Sequence, residues 1–287
     1  MIVRDTSTVA GYIRKEMWPT IFCAGCGNGI LLGNTFHALK ELEIDIDNVV
    51  FVSGIGCSSR LPGYINADGL HTTHGRAIAF ATGIKAVNPD LHVIVYTGDG
   101  DCAGIGGNHF VHSARRNIDI TVMMVNNFNY GMTGGQFAPT TPRGSYTATT
   151  PYGNIEHPFD MCKLALAIGA PFVSRCLASK PVHTVKTIKR AIRKKGFSFI
   201  EFLSPCVTNY GRRNELGSIT KLWRWYDDHT ISIQEYNKIL SEGSEAEKKQ
   251  ADSLMKIGVF QDMEKPEFFT EYQKILEKLY ESGNNER

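Results

Sequence analysis

Val93-Ile94-Val95-Tyr96-Thr97-Gly98-Asp99-Gly100-Asp101 is an apolar run that ends in glycines and carboxylates, and its reading decides the fold. A short β-branched run bounded by turn residues predicts a buried strand. Twenty-eight residues after Asp99 comes Asn127, in Asn126-Asn127-Phe128-Asn129-Tyr130, at the end of a second apolar run, Ile120-Thr121-Val122-Met123-Met124-Val125. Both runs read as strands of a parallel sheet, so both polar clusters sit at carboxyl ends, where open α/β sheets bind ligands. Either cluster alone is an ordinary turn or loop. Together they offer hard oxygen donors of the kind Mg²⁺ needs to hold a diphosphate: the Asp99 carboxylate, the Asn127 amide oxygen and the Asn129 backbone carbonyl. The run Gly104-Ile105-Gly106-Gly107 permits close backbone approach to phosphate and leads into a helix whose N-terminal amides favour an anion.

Outward from this pair the α/β alternation continues. Residues 27–43 read as a helix, Val49-Val50-Phe51-Val52 as a strand, Gly75 to Val87 as an Ala-rich helix, and 106–116 as a helix between the two strands already named. Tyr130 to about Pro158 is a long Gly-, Pro- and Thr-rich loop, which next to metal ligands reads as a lid or subunit contact. A helix over Asp160–Ile168, a strand at Phe172-Val173-Ser174, a helix from Val182 to Lys194 and a strand over 197–202 complete the pattern. The fold class expected is α/β, a mostly parallel sheet flanked by helices. Composition shifts near Leu216, which divides the chain into an α/β domain, 1–215, and a C-terminal helical extension, 216–287, with Trp223, Trp225 and Tyr226 ahead of helical stretches at 233–256 and 266–282.

With 31 basic and 29 acidic residues the net charge is +2, which makes no general case for nucleic acid or membrane partners. The basic run Lys186 to Lys195 alternates with apolar residues at helical spacing and reads as an exposed helix face; the less favoured reading is a docking surface for an acidic partner protein. No stretch approaches the ~20 apolar residues of a membrane helix. An odd number of cysteines, seven, argues against a secreted disulfide framework and predicts a cytoplasmic protein.

Four of those cysteines lie in loop-like contexts: Cys23 and Cys26 in Phe22-Cys23-Ala24-Gly25-Cys26-Gly27, Cys57 in Gly54-Ile55-Gly56-Cys57-Ser58, and Cys206 in Ser204-Pro205-Cys206. Such a set suits either zinc or an iron–sulfur cluster. Cys102, Cys162 and Cys176 read as small core residues. His71 and His74 are spaced i, i+3 and could ligate a metal or be satisfied structural histidines.

A Gly-Asp-Gly followed just under thirty residues later by an Asn pair resembles the signature of thiamine diphosphate enzymes. The cysteine motifs, His71-Thr72-Thr73-His74-Gly75-Arg76-Ala77, Gly98-Asp99-Gly100-Asp101 and Tyr130-Gly131-Met132-Thr133-Gly134-Gly135-Gln136 occur in the order found in β subunits of 2-oxoacid:ferredoxin oxidoreductases. That resemblance covers residues 18 to about 210. It implies a thiamine diphosphate-binding fold, Mg²⁺ on Asp99, Asn127 and Asn129, and a 4Fe-4S cluster on Cys23, Cys26, Cys57 and Cys206. It also implies cofactor contacts from Ile55, Gly56, Cys57, Ser58, His74, Gly100, Asp101, Gly131 and Met132. The activity implied is oxidative decarboxylation of a 2-oxo acid to an acyl-coenzyme A and CO₂, reversible as reductive carboxylation, with electrons passing through the cluster to ferredoxin. The glutamate that activates thiamine in the family belongs to a domain missing here, so no catalytic residue is assigned in this chain. An α subunit is expected to complete the site, as αβ or (αβ)₂.

Thr133-Gly134-Gly135-Gln136 departs from the Thr-Lys-Gly-Gln loop of many broad-range members and looks more like the 2-oxoglutarate subgroup, although Gly134 could equally be the turn residue the backbone needs. 2-Oxoglutarate is therefore the substrate expected, with pyruvate or a broad range as the alternative. Two other readings remain open. A non-redox thiamine decarboxylase subunit leaves the cysteines idle, and a zinc-stabilised binding protein leaves the Asp99–Asn127 pairing as coincidence.

Overall fold

The computed structural model describes residues 7–285. It runs through α1 (Asn28–Leu42), β1 (Val49–Ser53), β2 (Asp68–His71), α2 (Ala77–Val87), β3 (His92–Gly98), α3 (Gly107–Arg116) and β4 (Thr121–Asn126). It continues through α4 (Met161–Ile168), β5 (Phe172–Leu177), α5 (Pro181–Arg193) and β6 (Ser198–Leu203). The tail adds α6 (Ile219–Asp228), β7 (Thr230–Ser232), α7 (Ile233–Glu242), α8 (Glu245–Ser253), β8 (Met255–Asp262) and α9 (Phe268–Asn285). Among the described residues the strands form one sheet, ordered β2-β1-β3-β4-β6-β5-β8-β7. Pairing is parallel from β2 to β5, and β8 runs antiparallel to β5.

A parallel sheet needs both faces covered, and β4, β5 and β6 are buried along their whole length. Alternation along β3 shows how. Ile94 and Tyr96 point to the layer of α1 and α5, with Leu31, Phe36, Ile188 and Ala191. Val93 and Val95 point to the layer of α2, α3 and α4, with Ile78, Phe110 and Met161. The sheet order sets β3 beside β4, Gly98 opposite Val125, so the turns after the two strands share one end of the sheet.

Two elements differ from expectation. β2 is exposed at every position, an edge strand with no apolar alternation to signal it. The tail is not only helical: the stretch 233–256 divides into α7 and α8, and β7 and β8 extend the sheet. β8 is half-buried at most positions, so it lacks the period-2 contrast that marks a strand.

The basic run is a solvated face of α5. Thr184, Thr187, Ile188 and Ala191 face inward, while Lys189 pairs with Glu41 at 2.5 Å and Arg190 with Asp262 at 2.6 Å. A second charge network is buried. Arg175 donates from Nε to Glu201 and from Nη2 to Asp160, each at 2.6 Å, and Asn126 Nδ2 donates to Glu201 at 2.7 Å. Asp160, Cys162 and Glu201 converge as metal ligands do, but the guanidinium already supplies the cation. Removing one partner of a buried pair leaves a charge uncompensated, at a cost of about 3–5 kcal/mol. Arg175→Leu is expected to lower the unfolding free energy by that order in chemical denaturation, and an unchanged midpoint would exclude the network as a stabilising element.

Candidate functional site

β3 delivers Asp99 to the sheet end, where its Oδ1 accepts from Gly100 N at 2.9 Å and its Oδ2 from Thr140 Oγ1 at 2.7 Å. The side chain is buried, and burial pushes its carboxyl up to about 7, offset only by hydrogen bonds. This is a carboxylate short of a cation. β4 delivers Asn127, whose Oδ1 accepts from Asn129 N at 3.3 Å while Asn129 Nδ2 donates to Asn127 O at 2.7 Å. Phe128 between them adopts φ +64°, uncommon for a bulky residue. It is held by stacking on Tyr226 of α6, ring centroids 5.7 Å apart.

Ile55, Gly56, Cys57, Ser58, His74, Gly100, Asp101, Gly131 and Met132, the residues expected at the cofactor, line one cavity of about 150 Å³ together with Asp99, Asn127 and Asn129. Gly98, Tyr130 and Thr133 join them, none of which the sequence reading gave a cofactor contact. The Tyr130 hydroxyl donates to Gly100 O at 3.1 Å, and its ring lies 2.3 Å from where a Cβ on Gly100 would stand, so only glycine admits this contact.

Asp101 plays a different part from Asp99. Its Oδ2 accepts from Thr97 Oγ1 at 2.6 Å, and its Oδ1 accepts from Gly75 N at 2.6 Å and Ile55 N at 3.3 Å. His74 Nδ1 also stands 2.7 Å from Oδ1, though it makes no well-aligned hydrogen bond. The carboxylate ties three loops together, which leaves the main chain as the part able to face a ligand. Gly54 is required beside it, because a Cβ there would stand 2.1 Å from Oδ2.

The run Gly104-Ile105-Gly106-Gly107 does not line this cavity. Gly106 N donates to Asp101 O at 3.0 Å, and a Cβ on Gly106 would stand 2.5 Å from that oxygen. Gly106 thus admits neighbouring backbone, while Gly104 admits the Tyr130 hydroxyl, 2.6 Å from where its Cβ would stand. The helical turn that opens at Asp99 is Gly100–Ile105, and α3 starts behind it. The histidines also part company, since His71 Nδ1 bonds to Ser53 Oγ at 2.9 Å instead of converging with His74. Gly134 and Gly135 adopt φ +116° and +87°, so glycine at 134 is a backbone requirement of the turn and by itself says nothing about substrate. The long loop is fastened rather than loose: Thr141 Oγ1 donates to Phe128 O at 2.7 Å and Asn154 Nδ2 to Thr141 O at 2.9 Å.

Cys23, Cys26, Cys57 and Cys206 line a second cavity, of about 250 Å³. It shares Cys57, Asn127, Gly131 and Met132 with the first. Among the described residues no three of these sulfurs lie within 4.8 Å of one another, whereas four thiolates on one zinc, each at ~2.3 Å, would stand ~3.8 Å apart. The Cys57 thiol is pushed up to about 12, first by burial and then by the nearby Cys26, Cys206 and Cys23. Four thiols lining one space suit a metal centre held by thiolates. Cys102, Cys162 and Cys176 are free and buried.

α6 braces the Cys23–Cys26 turn from outside. Trp223 Nε1 donates to Gly25 O at 3.0 Å, and Ile219 Cγ1 lies 2.8 Å from where a Cβ on Gly25, at φ +80°, would stand. Sequence reading gives Trp223 no such role, because the contact spans 198 residues and follows no local period.

Residues 54–202 match the family model for the thiamine pyrophosphate enzyme C-terminal TPP-binding domain. The chain is 49% identical over 268 residues to the 2-oxoglutarate synthase subunit KorB of Methanocaldococcus jannaschii, covering 93% of this chain and 97% of that one. It is 42% identical over 251 residues to the 2-oxoacid:ferredoxin oxidoreductase 1 subunit beta of Aeropyrum pernix, covering 86% and 76%. Among solved structures, the 2-oxoglutarate:ferredoxin oxidoreductase of Magnetococcus marinus with 2-oxoglutarate, coenzyme A and succinyl-CoA bound superposes with a TM-score of 0.83 at 32% identity, covering 95% of this chain and 90% of that one.

Proposed function

Because this chain belongs to the β subunits of the 2-oxoacid:ferredoxin oxidoreductases, of the 2-oxoglutarate synthase type, we propose that it holds Mg²⁺ and thiamine diphosphate in the Asp99 cavity and a 4Fe-4S cluster in the cysteine cavity. Asp99, Asn127 and the Asn129 carbonyl are the metal ligands in this reading, and Cys23, Cys26, Cys57 and Cys206 the cluster ligands. When bound, thiamine diphosphate supplies an electron sink for decarboxylation of a 2-oxo acid, and the cluster supplies a one-electron route out. The observation that carries the reading is the wall of Cys57, Asn127, Gly131 and Met132 common to both cavities, since the same side chains would then face both groups.

The chain's own residues divide the remaining work. Asp99 gives up its proton when a cation arrives. The Gly100 turn presents backbone to the diphosphate, and half-exposed Ile55 and Met132 supply apolar walls. In this reading 2-oxoglutarate and coenzyme A are the substrates and ferredoxin takes the electrons, as the names of the relatives suggest. No glutamate lines the thiamine cavity, which supports activation from an α subunit. Exposed Phe80 and Val87 on α2, with Tyr152 and Ile155 beyond β4, support burial of surface against such a partner. No helix among the described residues is long and apolar enough to cross a membrane.

Anaerobic purification with iron, sulfide and zinc analysis, followed by EPR after dithionite reduction, tests the reading. About four iron and four sulfide per chain, with turnover of 2-oxoglutarate only when the α subunit is present, is the expected result. Zinc in place of iron, or turnover by the β chain alone, overturns it.

A further inference from the structure

Asn28, the first residue of α1, is 0% exposed in the wall of the cysteine cavity, yet neither its Nδ2 nor its Oδ1 has a hydrogen-bond partner. Burying a carboxamide without a partner is unfavourable, and an orphan of this kind calls for an explanation. The other carboxamide in that wall, Asn127, accepts from Asn129 N through its Oδ1 and also lines the Asp99 cavity, whereas Asn28 lines the cysteine cavity alone. Asn28 is thus a fully buried, uncommitted carboxamide among four cysteines, at the amino end of a helix. Cys26, two residues before it, lines the same cavity and is its neighbour along the chain.

We infer that Asn28 Nδ2 donates a hydrogen bond to sulfur at the Cys26 corner of the bound cluster and thereby sets its reduction potential. This rests on the cluster reading above. Sulfur gains electron density when the cluster takes up one electron, so a donor stabilises the reduced form more than the oxidised form and raises the potential. Asn28 is a positioning residue in this account: it tunes the electron acceptor without touching substrate.

The test is an EPR-monitored redox titration of the αβ complex, wild type and Asn28→Leu, with iron and sulfide measured on the same samples. Asn28→Leu keeps the bulk and removes the donor. The expected result is full iron content with a midpoint lowered by about tenfold in the reduction equilibrium, ~59 mV for a one-electron couple. An unchanged midpoint at full iron content overturns the inference and leaves the cluster reading intact. Absence of iron from the wild type overturns the cluster reading itself. If Asn28→Leu does not hold iron, Asn28→Ala decides: a loaded cluster with lowered potential supports the inference, and either an unchanged potential or no loading marks Asn28 as a packing residue only.

Discussion

Asp99→Asn is expected to stabilise the metal-free chain while abolishing Mg²⁺-dependent binding of thiamine diphosphate. The two effects share one cause. Asp99 titrates near 3.8 when unfolded and near about 7 in the fold, because burial penalises its charge. Between those values the folded chain holds a proton that the unfolded chain has released, so stability falls as pH rises through that window and is level above it. The gap corresponds to about 4 kcal/mol lost above pH 7. Asparagine removes that penalty and can still meet Thr140 and the Gly100 amide. It cannot neutralise Mg²⁺, and loss of a direct ligand should exceed the roughly 10–100-fold cost of removing an outer-shell partner. Thermal melts of the metal-free protein should therefore show the variant above wild type at pH 8 and level with it at pH 4. Adding Mg²⁺ and thiamine diphosphate should raise only the wild-type melting temperature. Equal ligand-induced shifts in the two proteins would remove Asp99 from the metal site.

Cys57→Ser is expected to lose cluster iron and ferredoxin reduction together. Among the four cysteines Cys57 is the one that lines both cavities, so its sulfur would face both groups. A serine hydroxyl is a far harder and less readily ionised donor than a thiol, and iron–sulfur clusters take thiolates. Asp99 and Asn127 are untouched, so thiamine diphosphate binding should persist. Cys176→Ser provides the control, because Cys176 is packed in the core beneath the sheet, outside the cysteine cavity. Normal iron content with intact ferredoxin reduction in Cys57→Ser would count against the four-cysteine assignment.

Asp99 and Asp101 show where sequence reading reaches its limit. Both follow β3 in one tetrapeptide and look alike as ligands. The difference arises because Gly75, Ile55 and Thr97 converge on Asp101, drawn together by strand order and by the close packing of Gly54, whereas Asp99 meets Thr140 and Gly100. Gly106 misleads for the same reason: a missing side chain admits a ligand or a neighbouring backbone equally well, and only the fold shows that the backbone of Asp101 is there.

The sequence by itself determined the parallel sheet, the strand ends that carry Asp99 and Asn127, and, through motif resemblance, the four cysteines that share one cavity. These are written in local patterns: β-branched runs, turn residues at strand ends, and spacing along the chain. Only the tertiary structure decided that two tail strands join the sheet, that α6 braces both Gly25 and Phe128, and that Asn28 is left unpartnered against the cysteines. Those outcomes depend on which surfaces meet after the chain has folded back on itself, and contacts between such distant residues leave no period in the sequence to read.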